Sequence, residues 1–475
     1  MILTQLLYNI LFKMSTKNLF FYIQLKYSCF RGCKCRVFVV KYIEYVGGFA
    51  MNTQNTLDSL GIKTKYINST KFKTVRMSVS FIADADRFSL PASNLLCKLL
   101  TRSTAKYPTH LELSRHLNML YGARIFGGCA KMGNKVMLKF TAECLAPKYT
   151  PNNEDLVSSC TALLEDAIFN PKLFGDGFDE EDFSIEKNQL IDTIQGRINN
   201  KRGYAITKML ENMCKEDSFG IPTEGYLEDA EKLSSKSVKE FWENMLKTSP
   251  VILTMVGEGS PDVFFNNISA KFENIKRTPI NIVPDFTPVS VDEVKNFSES
   301  MEVSQGKLVM GFRTGISSVN EDNIPLRMMV DIFGGSPYSR LFTEVREKQS
   351  LCYYCAARLF GIKGIVCVDS GVEFDTVDKA KKGILDQLDI IKNGQFDDSL
   401  ISASKMGLTD SVKSAYDSNA DLEGWYLTRI FDKEPLTPEE FVERIDKASR
   451  EEIIACANTL NLDTIYLLKG VEEDA

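Results

Sequence analysis

Phe333-Gly334-Gly335-Ser336-Pro337-Tyr338-Ser339-Arg340-Leu341-Phe342-Thr343-Glu344-Val345-Arg346-Glu347-Lys348-Gln349-Ser350-Leu351-Cys352-Tyr353 is the stretch around which the rest of this chain falls into order. A helical piece from Pro325 to Phe333 runs into it, and its own run Ser336 to Phe342 opens a second helix. It leads into a hairpin, Cys352 to Ser370, that turns near Gly361–Gly364. Upstream, Leu308, Met310 and Phe312 alternate with Val309 and Gly311, the period of a strand. Downstream, Thr376 is placed to cap a helix carrying Val377, Ala380, Ile384, Leu388 and Ile391, which Asn393-Gly394 ends. A further long helical stretch starts near Phe396.

The same order stands earlier in the chain. Val75, Met77, Val79 and Phe81 alternate with Arg76, Ser78 and Ser80, as in a half-buried strand. Pro91 to Leu100 is helical, with Leu95, Leu96, Leu99 and Leu100 on one side, and a second piece covers Leu111–Leu120. Tyr121-Gly122-Ala123-Arg124 opens a hairpin that turns at Gly133-Asn134, with Val136, Leu138 and Phe140 on one face of its second strand. Asn153 is placed to cap a helix bearing Leu156, Val157, Cys160, Leu163, Leu164 and Ala167, stopped by Asn170-Pro171. A long helical stretch follows from Asp182 to Met213. Residues 277–300, with Pro279, Pro284 and Pro288, read as an extended linker. The expected fold class is therefore α+β. Two duplicated domains, each a sheet with helices, occupy residues 51–276 and 301–475, and the linker lets them close face to face around a space.

Composition narrows the function. The chain has 475 residues, 44% hydrophobic and 25% charged, which is ordinary for a globular protein. A net charge of -6 argues against nucleic acid as a partner and favours basic or neutral ligands. Twelve cysteines are scattered without a repeating spacing, so a reducing cytoplasm is expected. Cys352 and Cys355 form a C-x-x-C with no second pair. There are only two histidines, His110 and His116, six positions apart and not on one helix face; Glu112 between them does not repair the geometry.

Residues 1–50 differ from the rest. They are rich in Phe, Tyr, Lys and Leu, lack an uninterrupted run of membrane-spanning length, and fit a secretory signal poorly. Cys29, Cys33 and Cys35 cluster there without partner ligands. Gly47-Gly48-Phe49-Ala50 ahead of Met51 is what a translated ribosome-binding sequence would give, so the extension is read as non-native with the start at Met51. A peptide from residues 1–50 in the mass spectrum of native protein would sink that reading.

The stretch Phe333 to Tyr353 closely resembles the C-terminal signature of the pitrilysin family, which includes insulin-degrading enzymes and mitochondrial processing peptidases, and the resemblance covers Leu57 to the C-terminus. It is nearest to bacterial members that occur as pairs of unequal paralogues. The resemblance implies a clamshell of sheet-and-helix domains enclosing a substrate chamber. In active members H-x-x-E-H on a first-domain helix holds zinc and supplies the general base, with a downstream Glu as third ligand. Here the phrase Leu100-Thr101-Arg102-Ser103-Thr104-Ala105-Lys106-Tyr107-Pro108 locates the motif at Asn94-Leu95-Leu96-Cys97-Lys98. Asn94 and Lys98 then stand at the histidine positions, Cys97 at the general base, and Thr193, beside Asp192, near the third ligand. An ammonium at a metal position disfavours a dication. No zinc is expected on this chain.

The resemblance also assigns Arg346 and Tyr353, the pair that in active members reaches across the chamber to the scissile carbonyl as oxyanion donors. An intact donor pair beside a lost metal site implies a zinc-less subunit of a heterodimeric metallopeptidase. A paralogous H-x-x-E-H-bearing subunit would carry the zinc, and an extended peptide would add to a sheet edge. Two alternatives stand beside it. One is a stand-alone peptide-binding or structural module. The other is a thiol-dependent hydrolase using Cys97 or Cys129 with His110 or His116. Neither nucleic acid nor membrane is an expected partner.

Overall fold

The computed structural model describes residues 57–281, 283–286 and 289–471, and the backbone of Leu19–Phe20 and Val46–Gly47, which pair antiparallel. The leader reading and the cluster Cys29, Cys33 and Cys35 otherwise fall outside the described residues. The chain forms two compact units, Met1–Lys63 and Thr64–Ala475. Of the halves anticipated above, residues 64–276 and 301–475 lie in the second.

The first half is a five-stranded sheet. Its strands are β1 (Ile62–Asn68), β2 (Thr74–Asp84), β3 (Arg124–Met132), β4 (Lys135–Leu145) and β5 (Val251–Gly257), in spatial order β1-β5-β2-β4-β3. The second has β6 (Lys295–Ser300), β7 (Gly306–Arg313), β8 (Tyr354–Phe360), β9 (Ile365–Val372) and β10 (Asn461–Lys469), in order β6-β10-β7-β9-β8. The two orders are the same, strand for strand. Each hairpin places its first strand at a sheet edge: β3 in one half, β8 in the other.

Helices of the first half are α1 (Ser89–Arg102), α2 (His110–Met119), α3 (Leu156–Phe169), α4 (Glu180–Gly196), α5 (Lys201–Met213), α6 (Leu227–Lys232), α7 (Ser235–Thr248) and α8 (Asp262–Glu273). Those of the second are α9 (Ile324–Val330), α10 (Val377–Lys392), α11 (Asp398–Lys413), α12 (Asn419–Leu427), α13 (Pro438–Lys447) and α14 (Arg450–Asn458). Among the described residues no helix is long and apolar enough to cross a membrane.

The expected half-buried strand is buried on both faces, because each half covers the other's sheet. Met77, Val79 and Phe81 of β2 are fully buried, Phe81 meeting Phe140 and Phe272 edge to face at 6.0 Å. The opposite face carries Arg76, Ser78 and Ser80, also buried. Helix α12 of the second half packs on β2 and β5, and Arg76 Nε donates to Glu423 of that helix at 2.8 Å. Reciprocally, α5 of the first half packs on β7 and β10. Leu308, Met310 and Phe312 therefore face the second half's own helices, while Val309 joins Ile206, Met209 and Met213 of α5 in a separate core. From Thr64 onward the two halves pack as one compact unit.

Four boundaries differ from the sequence reading. The stretch Asp182 to Met213 is two helices, broken at Asn200, whose side chain accepts from Gly203 N and caps α5. Helix α3 is capped by Asp155, which accepts from Ser158 N, rather than by Asn153. Thr376 precedes α10 without capping it; its hydroxyl donates to the carbonyls of Leu351 and Glu373. The linker read over 277–300 ends before Lys295, because β6 adds in parallel to β10.

Candidate functional site

Helix α1 carries the positions where the resemblance expects a metal site, and none fits one. Asn94 uses its Nδ2 twice, donating to Leu90 O at 3.0 Å and Thr223 O at 2.8 Å. Cys97 is buried, and burial pushes its thiol well up, so it is held protonated. Lys98 is exposed, and its charge lies near enough to act on the Cys97 and Cys129 thiols. Thr193 is exposed on α4 and donates to Gln189 O at 2.8 Å. Zinc needs three or four anionic or imidazole ligands. Here there are a committed amide, a protonated thiol, an ammonium and a hydroxyl. Among the described residues no group of three or more His, Cys, Asp or Glu is placed to hold a metal.

Of these positions Thr193 lines a cavity of about 680 Å³, and Asn94 bonds to its wall residue Thr223. Thr193, Thr223 and Glu224 line it together with Cys129, Ala130 and Lys131 of the edge strand β3. Lys131 is clamped by the carbonyls of Phe219 and Ile221, and burial pulls its ammonium down to about 8. Glu224 pairs with Arg197 at 3.1 Å. Sequence reasoning missed Lys131 and Glu224, since a single charge in a strand or loop carries no periodic signal.

The edge strand approaches α1 through Gly127, where an added Cβ would meet Cys97 O at 2.3 Å. Gly311 permits a similar approach of α5, but there a Cβ would meet the Sδ atoms of Met209 and Met213 at 2.6 and 2.7 Å. Backbone cannot yield as a thioether can. Gly127→Ala is therefore expected to cost about 1–3 kcal/mol through overpacking, and Gly311→Ala less. Denaturant unfolding of both variants checks this; equal losses would contradict it.

Arg346 and Tyr353 lie elsewhere. The segment Leu341–Lys348 winds in wide turns, with Gln349 N donating to Glu344 O at 3.0 Å, five residues back. This aims Arg346 over the Phe342 ring at 4.4 Å and lets its Nε donate to Tyr353 O at 3.0 Å. Tyr353 is 55% exposed, and its hydroxyl donates to Glu373, which raises the phenol above its ordinary value. Both residues line a second cavity of about 480 Å³ with Glu347, Ser350, Leu351, Cys352, Glu373 and Thr376. Glu373 was missed, though the hairpin contained the signal: pairing Tyr354 with Gly371 leaves Tyr353 beside it.

The two cavities share no lining residue, and Tyr353 and Phe360, one on each, stand at opposite ends of β8. Seven residues at about 3.3 Å each separate them by roughly 23 Å. The structure thus places Thr193 on one cavity, with Asn94 bonded to Thr223 of its wall, and Arg346 with Tyr353 on another. The thiol alternative gains nothing. Burial pushes the Cys129 thiol up to about 12, the reverse of activation, and the His116 ring stacks on Tyr107 at 4.7 Å. Glu112 serves as the capping partner of Thr109 at the start of α2.

Comparison with known proteins agrees with the signature. The family described as "Peptidase M16 inactive domain" matches residues 232–408. The chain is 28% identical over 412 residues to "Probable inactive metalloprotease YmfF" of Bacillus subtilis (strain 168), covering 87% of this chain and 96% of that protein. It is 20% identical over 293 residues to "Uncharacterized zinc protease SCO5738" of Streptomyces coelicolor, 60% of this chain and 64% of that one. A conserved protein from Enterococcus faecalis V583, solved by crystallography, superposes with a TM-score of 0.79 at 25% identity, covering 87% of this chain and 98% of that one. With its signature in place and no H-x-x-E-H on α1, this chain resembles the inactive members of the pitrilysin (peptidase M16) family.

Proposed function

We propose that this chain is the zinc-less subunit of a two-chain metallopeptidase. It binds peptide and contributes Arg346 and Tyr353 to a site whose zinc stands on a paralogous H-x-x-E-H-bearing subunit. One observation carries the reading: the donor pair opens on a cavity separate from the chain's own degenerate site, at the far end of β8. A pair so placed serves no metal position of its own chain, but it is accessible to another. In this reading the repeated strand order reflects duplication, and the halves of both chains close as a clamshell around the substrate. The exposed edge of β3, beside the first cavity, is where an extended peptide would add as a further strand. Location in the cytoplasm follows from the same reading.

The test is cleavage of a quenched fluorescent peptide library by the full chain, by its H-x-x-E-H-bearing paralogue from the same genome, and by an equal mixture. Cleavage above the paralogue's own level only in the mixture is expected. Equal rates for paralogue and mixture would overturn the split site and leave a peptide-binding module.

A further inference from the structure

The second cavity holds chemistry that the peptidase reading does not use. Cys352 lies on its wall, half-buried, three positions before Cys355, which is 4% exposed on β8. Both are free thiols. Both side chains belong to one apolar cluster, Cys355 within it and Cys352 packed against it. The pair is asymmetric. The neighbouring Cys355 thiol holds the Cys352 thiol below the ordinary range, with the Ser370 hydroxyl and the Arg346 guanidinium adding to it against burial. The neighbouring Cys352 and burial push Cys355 up. An accessible thiolate next to a buried, protonated thiol is the arrangement of an attacking and a resolving cysteine. Elsewhere Cys97, Cys129, Cys214, Cys367 and Cys456 are raised by burial.

We propose that Cys352 and Cys355 are a thiol–disulfide exchange site for low-molecular-weight disulfides, closing to an internal disulfide around Tyr353 and Tyr354. The Cys352 thiolate attacks one sulfur of the small disulfide, forming a mixed disulfide and expelling one small thiolate. Cys355 then loses its proton to solvent and attacks Cys352 Sγ, which breaks the mixed disulfide and expels the second small thiolate. Two protein thiols are oxidised and one small disulfide is reduced to two thiols. Closure brings the sulfurs to about 2.05 Å. It also constrains the Tyr353 carbonyl, the acceptor for Arg346 Nε. The site does not depend on the peptidase reading, because its readout is covalent.

The full chain is treated with glutathione disulfide and analysed by non-reducing peptide mass spectrometry. Wild type is expected to show a Cys352–Cys355 cross-link, loss of two hydrogen atoms and no retained glutathione. Cys355→Ser is expected to retain one glutathione on Cys352, about tenfold or more faster than on Cys129 or Cys456. Cys352→Ser is expected to retain none on Cys355. Glutathione spread evenly over Cys129, Cys352 and Cys456 in Cys355→Ser, or no cross-link in wild type, would overturn the proposal.

Discussion

Arg346→Ala, in the complex with the zinc-bearing paralogue, is expected to lower peptide turnover about 10²-fold or more, the typical loss on removing an oxyanion donor. The side chain is half-anchored. Nε is committed to the Tyr353 carbonyl and the guanidinium plane lies on Phe342, while the Nη groups make no hydrogen bond among the described residues. A donor fixed at one end and open at the other is preorganised for a charge that develops on another molecule. The loss should fall on kcat rather than KM, since the contact strengthens only in the transition state. Arg346→Lys keeps charge without the planar fork and should recover only part of the rate. Tyr353→Phe removes the hydroxyl now donated to Glu373 and should lower kcat in the same direction. A purely structural role predicts a different result: lost packing on Phe342, reduced stability, unchanged kcat. Unchanged turnover in the Arg346→Ala complex would refute the assignment.

How far the sequence could be read depended on what each residue contacts. Strands such as Thr74–Asp84 and Gly306–Arg313 were legible because their side chains alternate between two environments. That both environments are interiors was not, because α5 and α12 come from the opposite halves and no local pattern encodes a distant cover. Strand Lys295–Ser300 was missed for the converse reason. It is an edge strand whose residues are nearly all exposed, so it reads as polar linker. The break at Asn200 was hidden because apolar positions continue on either side of it, Leu190 and Ile194 before, Ile206 and Met209 after. At the candidate sites, substitutions were legible one by one. Their division between two cavities needed the path of β8.

The reciprocal packing leads to the second large effect: Glu423→Gln is expected to destabilise the protein by about 3–5 kcal/mol, the usual result of removing one partner from a buried ion pair. The Glu423 side chain is fully buried on α12 and accepts from Arg76 Nε at 2.8 Å and Lys139 Nζ at 2.7 Å, both from the first half's sheet. Glu143 reaches Arg76 at 3.1 Å, while among the described residues Lys139 pairs with Glu423 alone, so the amide leaves that cation in the seam without its counter-ion. Burial alone would raise the Glu423 carboxyl, yet Lys139 and Arg76 together hold it below its ordinary value of 4.5. A carboxyl depressed on folding contributes stability that is present above that value and lost as pH falls through the folded one. Wild type and Glu423→Gln should therefore differ most near neutrality and converge below pH 4.5. Denaturant titrations at neutral and acid pH measure both terms. Because the lost pair joins the two halves, the variant's transition should also broaden or split as each sheet unfolds without its borrowed helix. A single transition within about 1 kcal/mol of wild type at neutral pH would mean that apolar contacts of α5 and α12 alone hold the halves together, with the ion pair adding no more than an exposed one does.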